Sequence, residues 1–309
     1  MFNKQIDIVI VNWNAGTLLK KCVDSILNIE NIEVINKIFI LDNASKDDSL
    51  KLISSHPKLE IIYNKRNNGF AKAANQGFKL SQSEYVLLLN PDTQLFADTL
   101  TRCISLMNHN IQIDILGCQL YDVYGKTNLS CARFPKPITY FYDAVGLSRL
   151  APKIFTPALL MSDWDHKSDR YVDQIIGAFM FMRRSVFDKI GYFDEQFFVY
   201  SEELDFSKRL ANAGGKSFHK ADIGAIHIGG GTTRNVKAYR LFLNLKSRLL
   251  YAKKHFSFSG YLFTKFVTMV IEPVCRFFFF LFKGDSMEIK ELIKGYRFLF
   301  TKKDLSNPD

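Results

Sequence analysis

Polar side chains follow four predicted strands in the first hundred residues, at the point where each strand ends. They are Asn12–Asn14 after the first strand, Asp42–Asn43 after the second, Asn64 after the third and Asn90–Asp92 after the fourth. In open α/β sheets, ligands bind beyond the carboxyl ends of the strands. Turn formation is the alternative explanation for each group alone, because Asn and Asp favour turns. Four such strand ends together predict a ligand crevice.

Asp92 has the chemistry of a metal ligand. The chain has no GxGxxG after the first strand and no GxxxxGK[ST] motif, which argues against a dinucleotide oxidoreductase and a P-loop NTPase. A nucleotide in the crevice would therefore have no glycine cradle for its phosphates, and a carboxylate-bound divalent cation is the substitute. His227, which precedes three consecutive glycines, is a second candidate ligand. A structural role is the alternative for this histidine.

Three acidic residues within four positions, Glu202, Glu203 and Asp205, follow an aromatic run at 197–200. Two explanations remain open from the sequence. Ser201 could cap a helix whose first turn favours acids, with Asp205 paired to Arg209 one turn later. Alternatively, the acids hold a general base.

The elements that must position these residues alternate between strand and helix. Strands are predicted at 6–11, 37–41, 59–63, 85–89 and 174–182, with a last one ending at 226–227, and helices near 16–28, 45–48 onward, 69–80, 96–108, 185–189 and 201–213. Such alternation predicts a parallel sheet with helices on its faces. The less regular stretch at 121–173, which contains four prolines, is predicted to be an ordered excursion that lines an acceptor pocket.

The order of these motifs resembles that of the family 2 glycosyltransferases of the GT-A fold, particularly their bacterial rhamnosyltransferase-like branch. The resemblance spans about residues 6–233 and rests on seven segments: VIVNWN (9–14), LDNASKD (41–47), NKRNNGFAKAANQG (64–77), LLLNPDT (87–93), GAFMFMRR (177–184), FDEQFFVYSEELDFSKR (193–209) and HIGGGT (227–232). It implies an α/β catalytic domain over 1–233, with a Rossmann-like, mostly parallel sheet flanked by helices. A basic, aromatic-rich helical region would follow over 234–309.

The resemblance also implies roles for single residues. Those that would line the nucleotide-sugar pocket are Asn12, Asn14, Asp42, Asn68, Gly69, Asn75, Asn90 and Asp92. Within this set, Asp42 would hydrogen-bond the base. Asp92 and His227 would hold Mg²⁺ or Mn²⁺, with Asn90 standing where the family often has a first acid. Glu203 matches a catalytic base that is usually Asp, so Asp205 is kept as the alternative base.

The implied reaction is inverting sugar transfer in cell-surface polysaccharide synthesis. The donor would be a nucleotide-sugar, with dTDP-rhamnose favoured and a UDP-sugar as the other candidate, and the acceptor a glycan or a polyprenyl-diphosphate-linked glycan. Two alternative functions would each need a different sequence pattern. A sugar-nucleotidyl transferase would need a glycine-rich, arginine-containing loop that residues 12–16 lack. A nucleic-acid-binding protein would spread its charge over one face with interleaved aromatic residues.

The basic charge lies in the last quarter of the chain. Residues 234–309 carry a net charge of +9, against +1 for residues 1–233. Within 261–282, Lys265, Glu272 and Arg276 fall on one helical stripe, which predicts a helix lying on an anionic membrane surface with Phe277–Phe280 among the acyl chains. Packing on the catalytic domain is the alternative. Five scattered cysteines and a strand that begins within six residues predict a cytoplasmic protein, peripheral on the inner face of the plasma membrane.

Overall fold

The computed structural model describes residues 5–229 and 237–301, and most of its strands form one ten-stranded sheet. The strand order is β3-β2-β1-β4-β11-β6-β12-β5, with β7 paired to β6 and β9 paired to β12. The remaining strands, β8 and β10, form a separate ribbon. The strands are β1 Ile6–Asn12, β2 Ile35–Asp42, β3 Leu59–Tyr63, β4 Tyr85–Leu89, β5 Thr93–Leu95, β6 Ile115–Tyr121, β7 Thr127–Asn128, β8 Cys131–Ala132, β9 Arg170–Val172, β10 Gln174–Ile175, β11 Phe179–Arg183 and β12 Ser217–His227.

Strands β1 to β4 pair in parallel, which confirms the predicted sheet of the first hundred residues. Every residue of β1 and β4 is buried, as expected for strands covered on both faces. The predicted strand at 174–182 is wrong as one element, since β10 and β11 are separated by residues 176–178. Strand β6 was not predicted, and it pairs in parallel with β12.

Helices cover both faces of the sheet. They are α1 Thr17–Leu27, α2 Phe70–Leu80, α3 Thr99–His109, α4 Pro137–Ala144, α5 Leu147–Leu150, α6 Ser185–Ile190, α7 Glu202–Asn212, α8 Lys237–His255, α9 Phe258–Phe266, α10 Glu272–Phe282 and α11 Ser286–Thr301. One apolar core lies between the sheet and α1 and α3, and a second lies between the sheet and α2, α6 and α7. The fold is the predicted mostly parallel α/β sheet flanked by helices.

The helix predicted to begin near Ser45 is absent, and only a short 3₁₀ turn at Leu50–Leu52 stands in this region. The side chains that resemble a capping box bind other groups. The Ser45 hydroxyl donates to Asp42 over 2.6 Å, and Asp47 accepts from the backbone N–H of Gly16 over 2.7 Å. These contacts tie the 43–49 loop to the end of β1 instead of opening a helix.

The stretch at 121–173 is largely irregular, as predicted, with two short strands and two short helices early in it and β9 at its end. A buried aromatic cluster attaches it to the sheet. Trp164 stacks on His166 with ring centroids 4.3 Å apart, and Nε2 of His219 in β12 donates to the His166 carbonyl oxygen over 2.9 Å. His219 therefore has a structural role in this cluster.

The four C-terminal helices pack mainly on one another, and α9 and α10 also pack on α4. Ser247 of α8 donates a hydrogen bond to the loop before α7. Helix α9, a π turn at Val267–Ile271 and α10 run without interruption from 258 to 282. Within the described residues, no helix is long and apolar enough to cross a membrane. The predicted boundary between 233 and 234 lies outside the described residues, as do Gly230–Thr233.

The charged stripe of this helix does not face water as a whole. Glu272 is buried and binds Arg248 of α8 and Arg276. The apolar side chains instead point outward at every fourth position: Phe258, Leu262, Phe266, Val270, Val274, Phe278 and Phe282 are all exposed. Such a ladder drifts around an α-helix, and the wider π turn in its middle offsets part of the drift.

Candidate active site

The side chains of Asp92 and His227 meet at the edge of the sheet. His227 is the last residue of β12, and Asp92 lies in the turn between β4 and β5. Antiparallel pairing of β12 with β5 places His227 opposite Thr93, and the backbone N–H of Ile228 donates to the Asp92 carbonyl oxygen over 3.1 Å. The Nε2 atom of His227 therefore lies 3.3 Å from Oδ1 of Asp92.

This pair fits a divalent cation that is shared with a ligand. The side chains are 8% and 15% exposed, so both are withdrawn from bulk water yet reachable. Mg²⁺ is usually held by one or two protein groups and completes its shell with phosphate oxygens and water. Across residues 5–229 and 237–301, no group of three or more His, Cys, Asp or Glu side chains converges on one point. Asp92 and His227 alone would leave most of a cation's coordination shell to other ligands.

Asp42 is held in place by a polar network at the ends of β1 and β2. The Asn12 side-chain amide donates to Asp42 over 2.8 Å and to Ser49 over 2.9 Å, and the hydroxyl and backbone N–H of Ser45 both donate to the same carboxylate. Asn12 is fully buried and Asp42 nearly so. The structure thus makes Asn12 a residue that orients Asp42.

Asn14 connects the end of β1 to the following loop. Its side-chain oxygen accepts from the Lys46 backbone N–H over 2.7 Å, and its own backbone N–H donates to Ser45 over 3.0 Å. Its φ of +52° is a left-handed conformation that Asn tolerates better than most residues. Asn14 is partly exposed at the same edge of the sheet as Asp42.

Gly69 brings the loop before α2 against the loop before α7. Its φ is +84°, and a Cβ at this position would lie 2.4 Å from the Phe198 carbonyl oxygen. The same oxygen accepts from the Phe70 backbone N–H over 2.6 Å, and the Asn43 amide donates to the Gly69 carbonyl over 3.0 Å. Asn68 lies beside this contact and is partly exposed.

The side-chain amide of Asn75 forms hydrogen bonds with the segment at 193–195. It donates to the Phe193 carbonyl over 2.9 Å and to Glu195 over 3.1 Å, and it accepts from the Phe193 backbone N–H over 3.0 Å. The side chain is 2% exposed. Because both ends of the amide are engaged, Asn75 anchors the 193–195 segment to α2, which differs from the ligand-lining role that the sequence predicts.

Glu203 is connected to the turn that carries Asp92 through backbone groups of Gly177 and Ala178. The carbonyl oxygen of Ala178 accepts from the Asn90 backbone N–H and from the Thr93 hydroxyl, both over 3.1 Å. The adjacent Gly177 N–H donates to the Glu203 carboxylate. Antiparallel pairing of β11 with β4 produces this arrangement. Asn90 and Glu203 are thus joined by residues 177–178, which lie just before β11.

The Glu203 carboxyl is suited to accept a proton. Burial raises its pKa above the ordinary value, against the opposing effect of hydrogen bonds from its own backbone N–H and that of Gly177. One oxygen, Oε2, is shielded from solvent and makes no hydrogen bond with the described residues, and the same is true of Oε2 of Glu202. A general base works best when its pKa lies near the working pH. The neighbouring Glu202 is fully enclosed, and burial together with the charge of Glu203 raises its pKa further.

The turn into α7 is strained. Tyr200 and Ser201 have φ values of +69° and +66°, which L-amino acids other than Gly, Asn and Asp rarely adopt. The Ser201 side chain makes no cap hydrogen bond, so the predicted cap is wrong. The strain instead turns the chain sharply and directs the first helical turn, with Glu203, toward Gly177.

Asp205 is the centre of a buried ion cluster. Its carboxylate binds Arg209 over 2.8 Å and both Lys254 and His255 of α8 over 2.7 Å, and its side chain is 0% exposed. Burial alone would raise its pKa, but hydrogen bonds from His255, Lys254 and Arg209 outweigh that effect and lower it to about 2. The predicted pair with Arg209 is confirmed. Because Arg209, Lys254 and His255 already bind this carboxylate, we assign Asp205 to joining α7 with α8 and leave Glu203 as the candidate base.

Sequence analysis missed three residues of this arrangement. Ser45 and Ser49 complete the support of Asp42, and Ala178 connects the turn that carries Asp92 to the segment that contacts Glu203. Ser45 lies within a recognised segment, so its position was a usable signal. Ala178 acts through its backbone carbonyl, which no residue type reveals.

The family model described as glycosyl transferase family 2 matches residues 7–191. The chain is 26% identical to the low-salt glycan biosynthesis hexosyltransferase Agl10 of Haloferax volcanii, over 82% of this chain and 76% of that protein. It is 23% identical to an N-acetylglucosaminyl-diphospho-decaprenol L-rhamnosyltransferase of Mycobacterium tuberculosis, over 81% of this chain and 85% of the relative.

The fold is also that of a solved structure. The mannosyltransferase PcManGT from Pyrobaculum calidifontis, solved with GDP-Man and Mn²⁺, superposes with a TM-score of 0.57 and 13% sequence identity, over 98% of this chain and 88% of that one. At this identity the likeness establishes the α/β architecture alone.

Proposed function

This chain belongs to glycosyl transferase family 2, and on that premise we propose an inverting, metal-dependent transfer of a sugar from a nucleotide diphosphate to a glycan or lipid-linked acceptor. One observation carries the proposal. The Asp92–His227 pair and the Glu203 carboxylate, which the sequence holds far apart, are connected through Gly177 and Ala178 at one edge of the sheet. A leaving-group site and a base are both required for inverting transfer.

The donor would lie along the ends of β1, β2 and β4. Asp42, oriented by Asn12, would accept a hydrogen bond from the imide N–H of uracil or thymine, with Asn14 beside it. Asn68, Gly69 and Asn90 would border the ribose and diphosphate. Asp92 and His227 would hold Mg²⁺ or Mn²⁺, which would neutralise charge on the departing diphosphate. The Mn²⁺ in the mannosyltransferase structure supports a divalent cofactor here.

Glu203 would act as the base. Its carboxylate would take the proton from an acceptor hydroxyl as the acceptor oxygen bonds to the anomeric carbon and the sugar–phosphate bond breaks. The nucleoside diphosphate leaves on the opposite face, so the anomeric configuration inverts. No covalent enzyme intermediate is needed.

Rhamnose from dTDP-rhamnose is the favoured sugar, because the mycobacterial relative is named as an L-rhamnosyltransferase. The Haloferax relative is named as a hexosyltransferase, so a UDP-sugar is the second candidate donor. The names of both relatives support an acceptor in glycan synthesis, and the mycobacterial name supports a diphospho-polyprenol acceptor.

We place the enzyme on the inner face of the plasma membrane, attached peripherally through the exposed ladder of α9 and α10. The ladder is apolar along the whole helix, and Lys265 and Lys283 flank it. Apolar burial together with attraction to anionic lipids is the usual basis of such attachment. The charge lies beside this apolar face, which favours membrane over nucleic acid.

Donor titration tests the proposal. Purified full-length protein would be titrated with dTDP-rhamnose, UDP-glucose, UDP-galactose and GDP-mannose in Mn²⁺ or EDTA, and donor hydrolysis followed. We expect metal-dependent binding of one donor, lost in Asp92→Ala, retained without turnover in Glu203→Gln, and unchanged in the exposed control Asp188→Ala. Failure of all four donors to bind, with or without metal, would contradict it.

A further inference from the structure

A cavity of about 470 Å³ opens between α8, α10 and α11, outside the site described above. Its wall carries four cationic side chains, Lys237, Arg240, Arg248 and Arg276, together with the amide of Asn244. Two carboxylates, Glu288 and Glu291, also line it. A concave site with several cations is suited to an anion that carries more than one charge.

Three of the four cationic side chains, Lys237, Arg248 and Arg276, are already paired with carboxylates. Glu272 binds Arg248 and Arg276 from behind the wall, Glu288 binds Lys237, and Glu291 accepts from the Ala238 backbone N–H over 2.9 Å.

Within the part of the chain that the structure describes, no carboxylate pairs with Arg240, and this side chain is exposed at the cavity. Its guanidinium offers five N–H donors, and Asn244 follows one helical turn later on α8. These donors, with the unused donors of Arg276, remain for a ligand.

The cavity lies between the exposed apolar ladder and the catalytic loop. Phe280 of α10 lines it, while Phe278 and Phe282 of the same helix point outward. On the other side, Asn244 is one turn from Ser247, whose hydroxyl donates to the Val199 carbonyl over 2.8 Å. The loop at 197–201 leads directly into Glu203. A headgroup in this cavity would therefore lie beside an apolar surface and against α8, which contacts the loop that leads into Glu203.

We propose that this cavity binds the diphosphate of an isoprenoid-type lipid, whose chain lies along the aromatic face of α10. The inference rests on the proposed function, because it assigns the position of the lipid-linked acceptor. Arg240 and the remaining donors of Arg276 supply charge-assisted hydrogen bonds to the diphosphate, and the phenylalanines supply the apolar contact for the chain.

Calorimetric titration of the full-length protein tests this site. The probes are farnesyl diphosphate, kept below its micelle-forming concentration, and inorganic pyrophosphate, both in EDTA so that no metal occupies the donor site. Binding of farnesyl diphosphate should weaken by roughly tenfold or more in Arg240→Ala, since one charged donor is lost. Lys290→Ala removes the same charge from an exposed position on α11 outside the cavity, and it should bind as the wild type does.

Three results would overturn the proposal. Equal affinity for pyrophosphate and farnesyl diphosphate would mean that the cavity binds a free anion and does not recognise the lipid chain. Displacement of farnesyl diphosphate by phosphatidylglycerol vesicles would mean a general headgroup site. Equal weakening in Arg240→Ala and Lys290→Ala would mean attraction to the basic surface alone. Donor binding in Mn²⁺, measured on the same variants, should stay unchanged, so failure here leaves the proposed function standing.

Discussion

The Nε2 atom of His227 lies 3.3 Å from Oδ1 of Asp92, at the junction of two strands that the chain reaches more than a hundred residues apart. Pairing of β12 with β5 sets this distance, because it places His227 opposite Thr93, the residue after Asp92. The contact therefore depends on the pairing of β12 with β5 at the edge of the sheet. Without this pairing, Asp92 and His227 would not be neighbours.

Removal of either ligand should abolish metal-dependent donor binding. We expect Asp92→Ala and His227→Ala each to weaken binding of the donor in Mn²⁺ by about 100-fold, since the cation supplies several kcal/mol of charge stabilisation at a diphosphate. Binding in EDTA, which is weak in the wild type, should not change. Calorimetry with and without metal measures both, and equal losses in the two conditions would point to misfolding of the turn.

Glu203→Gln should separate binding from turnover. The amide keeps the volume but cannot accept the proton, so we expect kcat to fall by about 100- to 10,000-fold while the donor Kd changes little. Glu202→Gln is the matched control, and it should retain transfer. A Glu202→Gln variant that is inactive, beside an active Glu203→Gln, would reassign the base.

The pH dependence of transfer should report the same carboxyl. Burial raises the pKa of Glu203 above its ordinary 4.5, and only the deprotonated form acts as a base. The wild-type kcat/KM is therefore expected to rise with pH through a midpoint above 4.5. A pH profile of kcat/KM measures this, and a midpoint at or below 4.5 would exclude Glu203 as the group that titrates.

Asp205→Asn should destabilise the protein more than it impairs chemistry. It leaves Arg209, Lys254 and His255 without their common carboxylate, at a cost of about 3 kcal/mol or more. The pKa of Asp205 falls from 3.8 to about 2 in the folded state, so its stabilisation, about 2 kcal/mol, is present above pH 3.8 and is lost as pH falls toward 2. Unfolding curves at pH 7 and pH 3 should show a smaller gap between variant and wild type at the lower pH.

Gly69→Ala should disturb the contact between the donor loop and the catalytic loop. The new Cβ would meet the Phe198 carbonyl oxygen at 2.4 Å, and the φ of +84° adds backbone strain. We expect a loss of about 2 kcal/mol or more in stability, with weaker donor binding. Gly125→Ala carries similar strain at φ +77° but meets no atom within 4 Å. If both variants behave alike in unfolding and donor titration, the close approach has no functional importance.

Replacement of Phe278 and Phe282 by Ser should reduce membrane binding. Each exposed phenylalanine transferred into lipid contributes about 2 kcal/mol, so the double variant should partition onto anionic vesicles at least about 100-fold more weakly in a sedimentation assay. Tyr124→Ser, which removes an exposed aromatic residue from a distant turn, should have no effect. Donor hydrolysis in solution should be equal in all three proteins.

The local pattern of the chain was sufficient to predict most of the sheet. Strands β1, β3 and β4 and helices α1 and α2 are read from runs of apolar residues and their period, because each buries its own face against the sheet. The same reasoning failed at Ser45 and Ser201. Both have the residue type of a helix cap. The Ser45 hydroxyl instead donates to Asp42 and accepts from the Asn14 backbone N–H, and Ser201 precedes α7 without a side-chain cap hydrogen bond.

The sequence by itself determined the fold class, the polar ends of the strands and the residue types of a sugar-transfer site, because these depend on local composition and order. Tertiary structure decided which of those residues meet. It joined Asp92 to His227, gave Asn12 and Asn75 positioning roles, and enclosed Asp205 among Arg209, Lys254 and His255, while one Glu203 oxygen was left without a hydrogen-bond partner in the described residues. Strand pairing and helix packing between distant segments control such contacts, and no single segment encodes them.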